Sequence, residues 1–370
     1  MPKRTLPQKA QQLSKRITRS QSRTLAFERR LTNFITTLHN RIKLQDNAKD
    51  LDNHQRYVHD TVQTICNKLG EQFPTFKIQD CGILPNGSYY HKTKILKADE
   101  FDYLIPLALA LDKDVAIQHK SITKLEVDIL SDTLIDVMNA TCSELKTVKI
   151  NAVKDGKLPV GITKYLRKAI AKCLTILHHE GKLDYKGETD MRDDSSGKSE
   201  MLLDKQIELD TGLHGPCVRL RLSGPLCVAD VDLGFCMIIP KSNTNGGCYV
   251  ALPIQPNWVK SFYEYPENCR VDQHHCMIVM TLKYMIHVCN KDLPTCYSSF
   301  AITTIVHNHQ RKCNMEDHAG KERTLGNCLR DIANFMFKIS GLKEHGNTVT
   351  VGRKWENDLP NIDIKRVNLF

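Results

Sequence analysis

The chain has 370 residues, of which 41% are hydrophobic, so it can bury the core of one large two-lobed unit or of two domains. A formal net charge of +10 at pH 7 favours polyanionic partners, such as nucleic acid or phosphorylated ligands, but says nothing about the fold. The longest apolar runs, such as YLIPLALAL at 103–111, are far too short to cross a bilayer, so we expect no membrane segment.

The cysteines and the first residues bear on the compartment. The fourteen cysteines are scattered singly and form no CxxC pair, which is typical of buried thiols in a reducing environment and not of a disulfide framework. The opening sequence MPKRTLPQKAQQLSK is charged and lacks the apolar stretch of a signal peptide. We therefore expect a cytoplasmic protein, with the nucleus as the alternative location.

A basic segment comes first in chain order. Residues 3–43 contain eleven Lys and Arg residues and one acid, Glu28. This composition predicts a basic arm over 1–24 that is mostly disordered when free. From Leu25 onward the apolar residues approach helical spacing. A solvated tail and a nucleic-acid contact arm both fit this composition.

Helical and strand patterns alternate in the middle of the chain. Apolar residues recur at helical spacing within 51–73 and predict a long amphipathic helix, which Pro74 ends; they are Val58, Val62, Ile65 and Leu69. FKIQDCGIL and FDYLIPLAL are predicted strands with a Gly-Ser loop between them, and 158–177 is a predicted helix.

The second half changes character at Pro240. Residues 183–206 are strongly polar and predict a surface loop, whereas CVRLRLSGPLCVADVDLGFCMIIP predicts two strands. Helical patterns then dominate, over 271–290, 297–311 and 324–340. These patterns predict a basic N-terminal arm and helix (1–48), a mixed α/β catalytic lobe with a long spine helix (49–240) and a helical C-terminal lobe (241–370).

Two pairs of carboxylates carry the chemical signal. Glu100 and Asp102 are two residues apart on one predicted strand, so their side chains share a face, and Asp230 and Asp232 repeat this spacing on another. Adjacent carboxylates repel unless a cation lies between them, and Mg²⁺ prefers carboxylate and phosphate oxygens. Three such acids predict a two-metal site for displacement of pyrophosphate by a hydroxyl.

A Gly-Ser pair precedes the first acids by twelve residues. Gly87 would let the backbone approach a triphosphate, and the N–H groups and the Ser88 hydroxyl would donate to phosphate oxygens. Taken alone, acids two residues apart on a strand often serve solubility, and a Gly-Ser pair is often only a turn. Together, these features indicate a nucleotidyltransferase.

The segment GSYYHKTKILKADEFDYLIPL resembles the active-site segment of cyclic GMP–AMP synthase and its animal relatives, the cyclic GMP–AMP synthase-like receptors. Other segments resemble the same family, and they are LPVGITKYLRKAI, VDLGF, NWVKSFY, MTLKYM, YSSFAITTIVH and VNLF. The resemblance runs from about residue 78 to 370. It implies a two-lobed nucleotidyltransferase fold of the α/β (α+β) class, with a mixed sheet in the catalytic lobe and a helical C-terminal lobe.

The resemblance also implies a role for each matched residue. The catalytic acids and ligands of Mg²⁺, or of Mn²⁺, would be Glu100, Asp102 and Asp232, with Asp230 as the alternative third acid. The implied nucleotide-binding residues are Gly87, Ser88, Lys260, Ser261, Lys283, Ser299 and Phe300.

Two of these positions depart from the family. Phe300 replaces the family's Tyr, which keeps a ring for stacking and loses the hydroxyl. Val259 and Lys260 stand where the family has an Arg, so a point charge would replace a bidentate fork.

The zinc-binding insertion of cyclic GMP–AMP synthase has only a short counterpart, SFYEYPENCRVDQHHC. Its potential ligands are Cys269, His274, His275 and Cys276, but a helix through 271–290 places them poorly for a tetrahedral site, so we do not expect zinc. Relatives without the insertion resemble double-stranded RNA sensors, which favours RNA over DNA as the activator. The predicted contacts are the N-terminal arm and Lys164, Arg167, Lys168 and Lys172, and a homodimer on the nucleic acid is a further expectation.

The leading prediction is therefore an enzyme of antiviral innate immunity. It would be activated by nucleic acid and would join ATP and/or GTP into a cyclic dinucleotide of the cyclic GMP–AMP type. Two alternatives stay open: a catalytically inactive nucleotide- or nucleic-acid-binding scaffold of the same fold, and a linear oligoadenylate-type synthase.

Overall fold

The computed structural model describes residues 8–121, 124–145, 157–158, 161–191, 202–239, 247–251, 258–261, 271–289, 299–316 and 323–341. The chain divides into two compact units. The α/β unit is Leu44–Arg270, and the helical unit combines Met1–Lys43 with Val271–Phe370. The helices are α1 (Gln8–Ile42), α2 (Ala48–Gln72), α3 (Gly87–Tyr90), α4 (Asp132–Glu144), α5 (Ile162–His179), α6 (Gln273–Cys289), α7 (Ser299–Glu316) and α8 (Leu325–Gly341).

The described strands of the α/β unit form one mixed sheet. They are β1 (Leu84–Asn86), β2 (Glu100–Pro106), β3 (Val115–Ser121), β4 (Lys124–Ile129), β5 (Asp184–Thr189), β6 (Gln206–Asp210), β7 (Val218–Ser223), β8 (Val228–Ile239), β9 (Gly247–Ala251) and β10 (Trp258–Lys260). The order is β3-β4-β10-β9-β8-β7-β6-β5, and β2 joins β8 with β1 at its side. β2 runs parallel to β8 and β5 to β6, whereas the other pairs are antiparallel. The predicted α/β (α+β) class, with a mixed sheet and a separate helical part, is confirmed.

The predicted spine helix is α2, and local chemistry defines both of its ends. The Asn47 side chain accepts a hydrogen bond from the Asp50 N–H at 2.9 Å, which caps the first turn. The helix ends at Gln72, two residues before Pro74, whose ring cannot continue it. Its apolar face is buried and packs with α5 against the sheet; the face contains Val58, Val62, Ile65 and Leu69.

The helical unit is built from α1, α6, α7 and α8, and α1 packs against both α6 and α8. Its core holds Ile35 from α1 together with apolar side chains of the three later helices. Glu28 of α1 is buried and accepts a hydrogen bond from Arg330 of α8. Because its carboxylate is paired, the acid is tolerated in this core.

Three sequence expectations differ from the structure. The arm 1–24 was expected to be mostly disordered, but α1 is continuous from Gln8, in keeping with the high helix propensity of its Gln, Lys, Arg and Leu residues. The polar segment 183–206, expected as a loop, contains β5, a polar strand at the end of the sheet order, where hydrophobic patterning is weakest. FKIQDCGIL contributes only an isolated bridge at Ile78 and the start of β1, and not a full strand.

The predicted lobe boundary at 240 also differs from the unit boundary. β9 and β10 follow residue 240 and lie in the middle of the sheet order, so the α/β unit extends to Arg270. These strands are short, five and three residues, and give little periodic signal. No helix in the described parts of the chain is long and apolar enough to cross a membrane.

Candidate active site

The parallel pairing of β2 with β8 brings the predicted acids together. Glu100 lies opposite Asp230, and Asp102 lies opposite Asp232. Side chains alternate along both strands, and register partners of neighbouring strands point to the same side of a sheet. All four carboxylates therefore share one face, although Glu100 and its partner Asp230 are 130 positions apart in the chain.

The pKa of Asp102 is strongly raised. Burial, followed by the negative charges of Glu100 and Asp232, raises the pKa of Asp102 to about 7, although Lys94 and Arg219 act in the opposite direction. A cation bound nearby would lower this pKa again, because an opposite charge favours the ionised carboxylate. The cluster thus has the electrostatic character of a cation site.

The Gly-Ser pair lies directly against this carboxylate. Asn86, the last residue of β1, is the register partner of Asp102, and Gly87 follows with φ +76°. A Cβ at position 87 would lie 1.7 Å from Asp102 Oδ2, so any side chain there would collide with the carboxylate. Glycine is therefore required both by the left-handed backbone and by the contact.

The tyrosines after this pair hold the turn in place. Gly87–Tyr90 form the short helix α3 and not the open loop expected from the sequence. The Tyr89 ring packs on Phe101 of β2 with a centroid distance of 4.5 Å, and the Tyr90 and Tyr103 hydroxyls are hydrogen-bonded. Aromatic contacts of this kind give the turn a single orientation relative to β2.

Ser88 presents an unsatisfied hydroxyl in this turn. Its carbonyl oxygen accepts the N–H of Thr93 at 2.9 Å, but its Oγ is buried and has no hydrogen-bond partner among the described residues. A buried polar atom normally has a partner, because leaving it unpaired costs about 1–3 kcal/mol. The hydroxyl therefore fits a bound polar group such as a phosphate oxygen.

Basic side chains already contact the carboxylates. Lys94 Nζ lies 2.9 Å from both Asp99 Oδ1 and Glu100 Oε2. On β7, Arg219 and Arg221 are the register partners of Asp232 and Asp230. These basic residues compensate part of the negative charge of the cluster.

Asp232 is the most completely engaged acid of the cluster. Arg219 donates from Nε to Oδ1 and from Nη2 to Oδ2, both at 2.8 Å, and His214 Nδ1 lies 2.8 Å from Oδ2. Burial alone would raise the pKa of Asp232, but the hydrogen bonds from Arg219 and His214 outweigh burial and lower it. The same contact with Asp232 raises the pKa of His214.

The sequence interpretation did not include these basic partners. A signal for two of them was present, because VRLRLS carries Arg219 and Arg221 at the same two-residue spacing as the acids in VADVDL. Lys94 and His214 gave no comparable pattern. Their contacts depend on the turns that fold Lys94 back onto Glu100, six positions away, and His214 onto Asp232, 18 positions away.

The donor set suits a hard divalent cation. Carboxylate oxygens are the ligands that Mg²⁺ and Mn²⁺ prefer, and Glu100, Asp102 and Asp232 supply them on one face. Of the two alternatives for the third acid, Asp232 is buried beside Asp102, whereas Asp230 is half-buried beside Glu100 and paired with Arg221. Each alternative is thus already paired with an arginine, and Asp232 differs from Asp230 in being buried next to Asp102.

The remaining nucleotide-binding residues of the prediction fall in both units. In the α/β unit, Lys260 ends β10, and the Ser261 N–H donates to the Cys248 carbonyl at 2.7 Å. In the helical unit, Lys283 is buried in α6 and Ser299 is the exposed first residue of α7. The Phe300 side chain lies outside the described residues.

The predicted nucleic-acid residues on α5 differ in exposure. Lys164 is exposed, whereas Lys168 and Lys172 lie near the carboxylates of Glu188 and Glu144. Arg167 is buried: its guanidinium pairs with Glu188 at 2.8 Å and donates to the Asp210 carbonyl. Arg167 therefore acts inside the α/β unit and not at a surface that a polyanion could contact.

The four potential zinc ligands named in the sequence analysis do not come together either. Cys269 lies outside the described residues, and His274, His275 and Cys276 are consecutive residues in the first turn of α6. Consecutive helical residues point about 100° apart, so these three cannot converge on one ion.

Comparisons with known proteins find structural neighbours only. No protein-family model and no curated protein matches the chain. The structure of E. coli MS115-1 CdnC with ATP matches with a TM-score of 0.38 and 11% identity, covering 76% of this chain and 65% of that one. The E. coli MS115-1 CdnC:HORMA-deltaN complex matches with a TM-score of 0.37 and 12% identity, covering 73% of this chain and 61% of that one. The structure of Elizabethkingia meningoseptica CdnE cyclic dinucleotide synthase with GTP and Apcpp matches with a TM-score of 0.36 and 13% identity, covering 75% of this chain and 76% of that one.

This chain thus spans slightly less than two thirds of the length of each CdnC chain that it matches. At such low identities the neighbours assign no residue roles. The interpretation of the site rests on its own geometry.

Proposed function

We propose that the chain is a nucleotidyltransferase that uses two divalent metal ions to join ATP and/or GTP into a cyclic dinucleotide. One observation carries the proposal. Glu100, Asp102 and Asp232 share one face of the sheet, and the Gly87–Ser88 turn with its unpaired hydroxyl lies directly against Asp102. This combination would place a cation site next to a hydroxyl that can donate a hydrogen bond to a phosphate oxygen.

Each residue of the site would have a defined task. Ser88 Oγ and the backbone N–H groups after Gly87 would donate to the phosphate oxygens of the donor nucleotide. Glu100, Asp102 and Asp232 would hold Mg²⁺ or Mn²⁺, which supplies Lewis-acid stabilisation of the phosphate charge and lowers the pKa of the attacking hydroxyl. Lys94 would orient Glu100, because it lies 2.9 Å from that carboxylate.

The reaction would be the same in both transfers. A ribose hydroxyl attacks the α-phosphorus, a new O–P bond forms, the α–β phosphoanhydride bond breaks, and pyrophosphate leaves with the bonding electron pair. The hydroxyl proton passes to a site carboxylate or to water. A second transfer between the same two nucleotides closes the ring. The family resemblance further assigns contacts with the nucleotides to Lys260, Ser261, Lys283, Ser299 and Phe300.

We propose that double-stranded RNA activates the enzyme and that the enzyme takes part in innate immune sensing. The chain has a net charge of +10, and exposed basic residues occur on α1 and α5, among them Arg29, Arg30 and Lys164. Lysine and arginine contacts to phosphates bind A-form RNA largely by its shape. The proposal includes assembly of two copies on one RNA and a location in the cytoplasm.

A second candidate function is an inactive scaffold of the same fold. The observation that favours it is the complete engagement of Asp232, whose two oxygens accept hydrogen bonds from Arg219 while His214 also contacts Oδ2. If this pairing persists with nucleotide, the third metal ligand is blocked. The chain would then bind nucleotides without turnover.

One experiment separates these functions. Purified protein is mixed with ATP, GTP and Mg²⁺ or Mn²⁺, alone and with long double-stranded RNA or DNA, and pyrophosphate release and nucleotide products are measured. We expect a cyclic dinucleotide that appears with RNA. Linear oligomers would instead support an oligoadenylate-type synthase, and the absence of pyrophosphate under every condition would support the scaffold.

Variants test the site itself. Glu100→Gln combined with Asp102→Asn should abolish pyrophosphate release and leave RNA retention in a mobility-shift assay unchanged. The matched control is Asp112→Asn, because Asp112 is an exposed carboxylate six residues beyond β2. Full activity in the double variant would show that the metals bind elsewhere.

A further inference from the structure

A second cluster of potential metal ligands lies in the helical unit, on three different helices. His275 comes from α6, His309 and Cys313 from α7, and Cys328 from α8, and one ligand atom of each lies within 4.8 Å of all the others. His309 and Cys313 are four residues apart, so they occupy one face of α7. His275, Cys313 and Cys328 are at most 4% exposed. Three of the four ligands are thus in the core, and His309 is half-buried.

Its spacing is close to that of a tetrahedral zinc site. The Sγ atoms of Cys313 and Cys328 are 3.8 Å apart. Two thiolates bound to one tetrahedral Zn²⁺ at about 2.3 Å each are separated by about 3.8 Å. The widest pair, at no more than 4.8 Å, includes a histidine nitrogen and would need to close by up to about 1.5 Å, because Zn–N bonds of about 2.0–2.1 Å are shorter than Zn–S bonds. Small side-chain rotations suffice for such a change.

His275 gives an independent indication of a ligand. Its Nδ1 contacts both carboxylate oxygens of Asp272, at 2.8 and 2.9 Å, which places a proton on Nδ1 and leaves the lone pair of the neutral ring on Nε2. Nε2 is buried and has no hydrogen-bond partner in the parts of the chain that the structure describes. An unpaired buried acceptor is costly, and a metal ion would satisfy it. A carboxylate behind a ligating histidine is the usual arrangement in zinc proteins.

We propose that His275, His309, Cys313 and Cys328 bind one structural zinc ion that ties α6, α7 and α8 together. Mixed imidazole and thiolate ligands favour Zn²⁺ over hard cations such as Mg²⁺. Four protein ligands leave no open position, which is typical of a structural site and not a catalytic one. The ligand set shares only His275 with the consecutive residues considered from the sequence, and none of the four lies in an inserted loop.

The competing interpretation is an ordinary core of sulfur and imidazole contacts. His274 Nε2 lies 3.4 Å from Cys328 Sγ, so a hydrogen bond to that thiol would replace a metal bond. Alternatively, Cys313 and Cys328 could oxidise to a disulfide, with loss of two electrons and two protons to an added oxidant. Both interpretations predict a metal-free protein.

The test is the zinc content of the full chain. The protein is purified under reducing conditions, unfolded in denaturant that contains a chelator, and refolded with excess Zn²⁺. Gel filtration then removes unbound metal, and inductively coupled plasma mass spectrometry measures the zinc that remains. We expect about one zinc ion per chain. Replacement by Co²⁺ should give the thiolate charge-transfer absorption and the intense visible bands of a tetrahedral site.

Variants then assign the ligands. Cys313→Ser and Cys328→Ser should lose the zinc and the cobalt spectrum, whereas Cys81→Ser and His287→Gln, at exposed positions, should retain both. If the cysteine variants do not fold, Asp272→Asn decides the question. Asparagine still caps α6 but removes the negative charge behind His275, so zinc affinity should fall about 10- to 100-fold.

Three results would overturn the proposal. They are a refolded wild-type chain without zinc, zinc that both cysteine variants retain, and a Cys313–Cys328 disulfide in protein whose free thiols are alkylated before any reductant is added. The readout is metal content, so the outcome is independent of nucleotide chemistry. Loss of zinc binding would leave the nucleotidyltransferase proposal intact.

Discussion

Asp102 provides a quantitative test of the cation site. In metal-free protein its folded-state pKa is raised to about 7 from an ordinary value of 3.8. A difference of about 3 pKa units corresponds to about 4 kcal/mol, because each unit represents 1.36 kcal/mol. Asp102→Asn keeps the size of the side chain and removes the ionisation. The variant should therefore lack this contribution to the pH dependence of stability.

The sign follows from proton binding. Below about pH 4 both states of the wild type hold the proton, so Asp102 adds no pH dependence. Between about pH 4 and pH 7 the unfolded chain loses the proton while the folded chain retains it, so stability falls as pH rises. The free energy of unfolding of Asp102→Asn relative to wild type should thus increase by up to about 4 kcal/mol from about pH 4 to pH 8.

Denaturant unfolding in EDTA at several pH values measures this difference. Trp258 is buried in the α/β unit, so tryptophan fluorescence reports on that unit once the chain's second tryptophan is removed by Trp355→Phe in every variant. Excess Mg²⁺ at about pH 8 should stabilise the wild type, by about 2.7 kcal/mol at 100 times its dissociation constant, and leave the variant nearly unchanged. Asp112→Asn is the control and should follow the wild type. A constant difference between Asp102→Asn and wild type at every pH would refute the electrostatic argument.

Three further predictions concern packing around the site and in the helical unit. Gly87→Ala should lower the free energy of unfolding by several kcal/mol more than Gly82→Ala does, as measured by thermal or denaturant unfolding. Both glycines have φ above +70°, but only a Cβ at position 87 would lie 1.7 Å from a carboxylate oxygen. Equal losses of stability would mean that the turn is not held against β2. Arg219→Met should lower the free energy of unfolding by about 3–5 kcal/mol in EDTA, because Asp232 stays buried without its main partner. Excess Mg²⁺ should restore part of this stability. A loss that Mg²⁺ leaves unchanged would argue against a metal at Asp232. Gly326→Ala should destabilise the helical unit in denaturant unfolding monitored by circular dichroism, because its Cβ would lie 2.2 Å from a backbone oxygen of α1. An unchanged unfolding curve would show that α1 does not pack there.

Much of the candidate site could be predicted from local sequence patterns. The two-residue spacing of Glu100 and Asp102 places both side chains on one face of β2, and the same rule applies to Asp230 and Asp232 on β8. The helical spacing of apolar residues likewise predicted α2 and the helices beyond residue 270. These features depend on the period of the backbone, which neighbouring residues in the chain reveal.

Other features depend on contacts between distant segments. The helical unit unites α1 with residues after 270, and polar β5 is a strand because β6 offers it hydrogen bonds. Arg167 belonged to a basic helical stripe in the sequence, yet burial and Glu188 direct it inward. Local composition carries no information about such partners, so the arm, the polar loop and this residue differed from expectation.

Local spacing is enough to predict which residue types share a face of each strand and helix, because side-chain direction follows from backbone period. That β2 and β8 are parallel neighbours, in the register that aligns Asp102 with Asp232, is a property of the folded chain alone. The same is true of the position of Arg219 opposite Asp232, and of the three helices that bring two histidines and two cysteines together. Such neighbours are set by the packing of the whole chain, since burial of the shared core, and not any local spacing, selects which segments meet.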